Sequence, residues 1–128
     1  MGPEFGNAAN CGLHSGGWIV GHFVKEPSLR ATDEIEIKVG IHKAGKFTEW
    51  KSQPGKKSIT LLMSGKFRVQ FRSDRKGKAK ADNFTLRSPG DFIIWEDKRE
   101  HRWKALTKKA TVITVRWPSL THVEKLKG

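Results

Sequence analysis

SITLLMSGKFRVQFR, residues 58–72, decides the fold. Ser58 to Met63 is a nearly continuous apolar run, short enough for a strand. Ser64 and Gly65 turn the chain. Lys66 to Arg72 returns with Phe67, Val69 and Phe71 alternating against Arg68 and Gln70. Side chains on a strand point to opposite faces with period two, so this alternation marks a half-buried strand. A strand, a Ser-Gly turn and a second strand read as a β-hairpin.

The same pattern extends in both directions. Upstream, Ile35, Ile37, Val39 and Ile41 alternate with Glu34, Glu36 and Lys38, giving one apolar face and one solvated face. Trp18 to Val24 reads as a first strand, and Phe47 to Trp50 as a short strand or hairpin arm. Gln53, Pro54 and Gly55 make a turn. Downstream, Phe84 and Leu86 mark a strand, and Ser88 to Asp91 turn into Phe92 to Trp95. His101 to Ala105 and Thr111 to Trp117 complete the set, and Pro118 stops it. Eight or nine short strands at this spacing, without a long helix, predict an all-β sandwich or barrel. Residues 18–118 form that single domain. Residues 1–17, rich in Gly, Ala and Asn, read as a flexible arm, and residues 119–128 as a short helical or coil tail. A chain of 128 residues accommodates one core.

Lys and Arg number 25 against 13 Asp and Glu, a net charge of +12. Such a surface attracts anions without sequence selectivity. The densest basic run is Arg72, Arg75, Lys76, Lys78 and Lys80, to which Lys56 and Lys57 add. These seven are the nucleic-acid candidates, although no aromatic is interleaved in the run and no recognition helix is evident. One cysteine, Cys11, leaves no internal disulfide framework, and a reducing, cytoplasmic home is the expectation. No apolar run approaches the roughly 20 residues of a membrane span, and no secretory leader is expected. Ser-His-Asp order, a phosphate-cradling glycine loop and a CxxC pair are all missing, so nucleophilic catalysis has no support.

Two stretches carry a resemblance. Gly45 and Gly65 stand at the ends of a frame whose interior positions are Lys51, Gln53 and Ser58. Gly90 and His101 stand at the interval of a second frame, with Glu96 and Lys98 between them. Across residues 18–118 this spacing resembles the two signature motifs of the cupin superfamily, which implies a jelly-roll β-barrel. In that family three imidazoles and a carboxylate converge on a metal ion. Here only His101 occupies a ligand position with a ligand's chemistry; protonated Lys51 cannot coordinate, and Gln53 and Ser58 are weak neutral donors.

The expected function is therefore binding of a small, anionic ligand in the barrel without a complete metal site. His101, Lys51, Gln53, Arg68, Trp95, Trp103 and Arg116 are the pocket candidates. Two alternatives stay open. One is a metal-dependent oxygenase or isomerase whose Zn, Fe or Mn is held by His42, Glu49 and His101. The other is a nucleic-acid-associated basic protein. The resemblance also implies a homodimer paired through sheet edges and exchanged terminal strands.

Overall fold

A computed structural model describes residues 2–72, 81–96 and 99–127. Among these residues the order of elements is α1 (Ala8–Cys11), β1 (Trp18–Val20), β2 (Glu36–Lys43), β3 (Lys57–Ser64) and β4 (Phe67–Arg72). There follow β5 (Asp82–Leu86), β6 (Phe92–Glu96), β7 (Glu100–Ala105), β8 (Lys109–Trp117) and α2 (His122–Lys127). A five-stranded sheet in the order β1-β2-β8-β3-β6 faces a three-stranded sheet in the order β5-β4-β7. All strand pairings are antiparallel. Neither sheet closes on itself; together they make a jelly roll around one core.

That core comes from the inward positions of both sheets. Leu62, Ala110 and Val112 from the large sheet meet Phe67, Val69, Phe71, Leu86 and Ala105 from the small one. Ile93, Trp95 and Trp103 pack against them. The alternation in β4 survives intact: Phe67, Val69 and Phe71 are buried, while Arg68, Gln70 and Arg72 are half-exposed on the far side.

Two expectations are corrected. Ser64 and Gly65 do turn the chain, but β3 and β4 do not pair. β3 bonds to β6 and β8, and β4 to β5 and β7. The turn is a crossover from one sheet to the other. Gly65 has φ +79°, a left-handed conformation, and a Cβ there would strike the Lys109 carbonyl and the Thr107 hydroxyl. A tight turn fixes a reversal of direction; it does not fix whether the two strands share a sheet.

The second correction concerns β2. Its polar set points inward and its apolar set outward, opposite to the reading of Glu36 as part of a solvated face; Glu34, before the strand, is exposed as expected. Glu36 is 5% exposed, whereas Ile41 is 57% exposed. Alternation sorts residues into two faces, but neighbours decide which face lies inside. Glu36 finds them. Its carboxylate accepts a hydrogen bond from Ser119 Oγ at 3.0 Å, lies 3.5 Å from Lys56 Nζ and 3.6 Å from Arg116 Nη1. Burying a charge is tolerable when it is paired in this way.

The ends of the chain are tied to this framework. Glu4 accepts hydrogen bonds from Leu29 N at 2.9 Å and Ser28 Oγ at 3.0 Å. Gly17 O accepts from Val39 N at 3.0 Å. Residues 44–51 run irregularly beside β7 rather than forming a strand of their own, with an isolated bridge between Lys51 and His101. α2 opens on a capping box, in which Thr121 Oγ1 accepts from Glu124 N and Glu124 Oε1 accepts from Thr121 N.

Candidate functional site

Between the sheets, at the end where the large sheet turns polar, lies a cavity. Lys38 and His42 enter it from β2, Arg116 and Thr114 from β8, and Thr60 from β3. Trp95 comes from β6, and His101 and Trp103 from β7. Strand register explains the grouping. Lys38 pairs with Thr114 and Thr114 with Thr60, so these three share one row, while Glu36, Arg116, Ser58 and Trp95 share the next. Period two then places His42 on the same face, four residues beyond Lys38. Gly40 lies between them, and a Cβ there would stand 2.7 Å from His42 Nε2. Its missing side chain is what lets the imidazole lie back against the strand.

Aromatic rings wall the opposite side. His101, 1% exposed, stacks on Trp103 with centroids 5.7 Å apart and 20° between planes. It also meets Trp95 at 5.2 Å and Phe71 at 6.0 Å. Lys51 Nζ sits 4.5 Å from the Trp103 ring centroid. Lys51 is held there by its backbone, which exchanges hydrogen bonds with His101 at 3.0 and 2.8 Å. The free volume is small, about 20 Å³ for the centres of water-sized molecules, room for a water or two.

The electrostatics run one way. Lys38 lies below the ordinary lysine value, first because burial disfavours its charge, then because Arg116 and Lys51 repel it. His42 is likewise held below the ordinary 6.5, by burial and then by Lys38 and Lys51. Among the described residues, no carboxylate is part of the cavity lining. Three donors on the inward faces, Trp95 Nε1, Trp103 Nε1 and Ser58 Oγ, are buried without a hydrogen-bond partner among the described residues. The cavity thus presents Lys38, buried N–H donors and Arg116, which is also ion-paired with Glu36 at 3.6 Å.

A stability test follows for His42. Its folded value lies below its unfolded value, so the unfolded chain takes up the proton more readily. The contribution of neutral His42 is fully present above pH 6.5 and is lost as pH falls from there through the folded value. Urea unfolding at pH 7.5 and 5.5 is expected to show a smaller loss for His42→Gln than for the wild type. An equal loss in both would remove His42 from the effect.

Of the pocket candidates, His101, Trp95, Trp103 and Arg116 line the cavity, and Lys51 contacts the ring of Trp103 without being part of the lining. Two do not belong. Gln53 faces a separate surface hollow beside α2. Arg68 lies on the outer face of the small sheet, where its Nε donates to Thr85 Oγ1 at 3.2 Å. Lys38, Thr60 and Thr114 were not among the sequence candidates. Lys38 was legible in principle, since it shares strand parity with His42.

The nucleic-acid candidates do not assemble as a set. Lys56 is 7% exposed, donating to Ser119 O at 2.7 Å and pairing with Glu36, so it is no surface cation. Lys57 is exposed. Arg72 pairs with Glu100 at 3.3 Å and lies 4.4 Å from the Trp50 ring. Arg75, Lys76, Lys78 and Lys80 lie outside the described residues.

A divalent ion does not fit the cavity. Among the described residues no group of three or more His, Cys, Asp or Glu is placed to hold one. His42 and His101 share the cavity, but Glu49 is exposed outside it. Lys38 and Arg116 occupy the place where a cation's negative ligands would have to stand. Nor, among the described residues, is any helix long and apolar enough to cross a membrane.

No family model and no curated protein matches this chain. Solved structures do. KdgF from Halomonas sp. is similar over 68% of this chain and 71% of its own, with 20% identity and a TM-score of 0.56. A cupin-2 domain protein from Shewanella frigidimarina covers 71% of this chain and 78% of its own, at 16% identity and TM-score 0.52. Oxalate decarboxylase from Bacillus subtilis, described with Mn(II) centres, is similar over 68% of this chain at 18% identity and TM-score 0.55; the chain spans 22% of its length. Two antiparallel sheets in jelly-roll order and these matches together establish that the chain has the cupin fold.

Proposed function

We propose that this chain is a metal-independent binding protein that takes a small anion, of carboxylate or phosphate type, into the cavity of its jelly roll. The observation that supports the reading is the lining itself. Lys38, Arg116, Trp95 and Trp103 line one cavity, the two indole N–H groups are buried without a partner among the described residues, and Glu36, the carboxylate 3.6 Å from Arg116, is not part of the lining. An anion placed there gains charge-assisted hydrogen bonds in surroundings of low dielectric, where they are strongest. It also favours the charged forms that burial first, and neighbouring cations second, disfavour at Lys38 and His42. The small free volume limits the ligand to a compact group, or to the anionic head of a longer one whose body lies at the mouth. Lys38 has a flexible stem and yields space there.

Titration calorimetry with acetate, phosphate and sugar phosphates tests this. Binding is expected to draw protons from solution just below neutral pH, because an anion raises the proton affinity of His42, which the empty cavity holds below 6.5. The heat will then depend on the buffer's ionisation enthalpy. Lys38→Met is expected to weaken binding about 10- to 150-fold, the worth of one hydrogen bond to a charged group. Wild-type affinity in the variant, or no binding across the panel, removes the reading.

A further inference from the structure

Strand parity in the small sheet sends His101 and Trp103 of β7 toward the core and Arg102 and Lys104 to the outer face. Register sets Lys104 beside Arg68, Arg102 beside Gln70 and Glu100 beside Arg72, and it continues to Thr85 and Asn83 of β5. Of these outward positions four are cationic and only Glu100 is acidic. Two rings from a distant segment cover them. Thr48 is tied to β7, its N donating to the Trp103 carbonyl at 2.9 Å and its Oγ1 accepting from Trp103 N at 3.1 Å. This brings Phe47 and Trp50 onto the outward cations. The Phe47 ring centroid lies 4.4 Å from Lys104 Nζ and 4.4 Å from the Arg102 guanidinium carbon. That of Trp50 lies 4.3 Å from Arg102 and 4.4 Å from Arg72. Lys104, Phe47, Arg102, Trp50 and Arg72 therefore alternate cation and ring in one ladder.

We infer that this outer face binds single-stranded nucleic acid. A ring attracts a cation through its quadrupole but carries no net charge, so the ladder orders its cations without neutralising them. Arg72 pairs with Glu100 at 3.3 Å. Among the described residues Arg68, Arg102 and Lys104 make no salt bridge. Arg102 Nε donates to Gln70 Oε1 at 2.7 Å, which fixes the guanidinium plane and leaves its two terminal amino groups for an incoming acceptor. Charge complementarity thus calls for a polyanion. The flat groups decide its kind. Unpaired bases stack on aromatic rings and on guanidinium planes while their phosphates meet neighbouring cations. A duplex hides those π-faces inside its own stack, and an acidic polysaccharide has none. The basic run beginning at Arg72 has no aromatic within it; the fold supplies the rings from residues 47 and 50. The anion cavity plays no part, because it lies against the inward faces of β4 and β7.

Fluorescence anisotropy of a labelled oligothymidylate of about 12 nucleotides, titrated with the full chain between about 50 and 300 mM salt, tests the inference. Three or four phosphate contacts at about 0.7 each predict that log Kd rises against log salt with a slope of about 2 to 3. Arg102→Gln combined with Lys104→Gln is expected to weaken binding about 10-fold or more and to lower that slope by about 1.4. Lys25→Gln combined with Lys127→Gln removes two exposed charges elsewhere and is expected to change affinity by less than about 3-fold. An abasic strand of the same length keeps the phosphates, and its affinity is expected to be about 10-fold lower for want of stacking. Equal losses from the two double variants overturn the inference, since binding then follows net charge alone. So does an abasic strand that binds as tightly as the oligothymidylate, or an oligothymidylate that does not bind at the lowest salt. Should circular dichroism show the Arg102 variant unfolded, Arg68→Gln with Lys104→Gln gives the same readout and leaves the bond between Arg102 and Gln70 intact.

Discussion

Replacing Glu36 with alanine is expected to cost about 3–5 kcal/mol of folding stability, the range for breaking a buried ion pair from one side. The carboxylate sits under Lys56, Arg116, Ser119 and, at 3.9 Å, His22 Nδ1. Lys56 is nearly as buried as its partner. Without Glu36 it keeps the Ser119 carbonyl at 2.7 Å and Glu124 at 3.8 Å, and the latter is half in solvent. Two cations then share a poorly solvated space with less compensation. In a domain of this size the loss lowers the melting temperature by roughly 10–20 °C. The cause is charge imbalance rather than lost volume, so Glu36→Ala combined with Lys56→Met is expected to be more stable than Glu36→Ala alone. Chemical denaturation of the four corners of that cycle measures it. A single variant within about 1 kcal/mol of wild type, inside the spread of ordinary surface changes, contradicts the account of β2's inward face.

Phe71→Ala is the second large effect, again about 3–5 kcal/mol, from lost transfer energy and an unfilled void. Phe71 is a buried strut between the layers. It stands in β4 of the small sheet, yet its ring lies 5.4 Å from that of Trp95, in β6 of the large one. It also meets Phe84 at 5.8 Å and His101 at 6.0 Å. Truncation leaves a void lined by rings, which a small apolar probe such as benzene is expected to fill, with partial recovery of stability. Phe84→Ala is the control. Phe84 is exposed at the sheet margin, and its removal is expected to cost about 1 kcal/mol. Equal costs at the two positions contradict the placement of Phe71 between the sheets.

Much of the fold was legible because strands announce themselves locally. Period-two alternation located β2 and β4, and the run Thr111 to Trp117 located β8, each to about two residues. The apolar run of β3 and the Ser88–Asp91 turn were also legible; there Asp91 accepts from Arg87 N and Ser88 N at 2.9 and 3.0 Å, which holds its carboxyl below the usual range. The tail was read as a short helical or coil segment, and His122–Lys127 is a helix. The cavity was legible in part. His101 followed from motif spacing, and Trp95, Trp103 and Arg116 from their flanking positions.

What failed has one source. Ser64-Gly65 was read as a hairpin, Glu36 as solvated, Lys56 as a surface cation and Gln53 as a pocket residue, and each depends on partners far along the chain. β3 meets β8 some fifty residues away, Lys56 meets Ser119, and Glu36 meets Arg116. The sequence by itself determined the strands, their two faces, the single core and the excess of positive charge, because these are set by neighbours within a few residues. Only the tertiary structure decided which sheet each strand joined and which face turned inward. Those outcomes are fixed by where buried charges find counter-charges, and such pairings join residues that no local pattern relates.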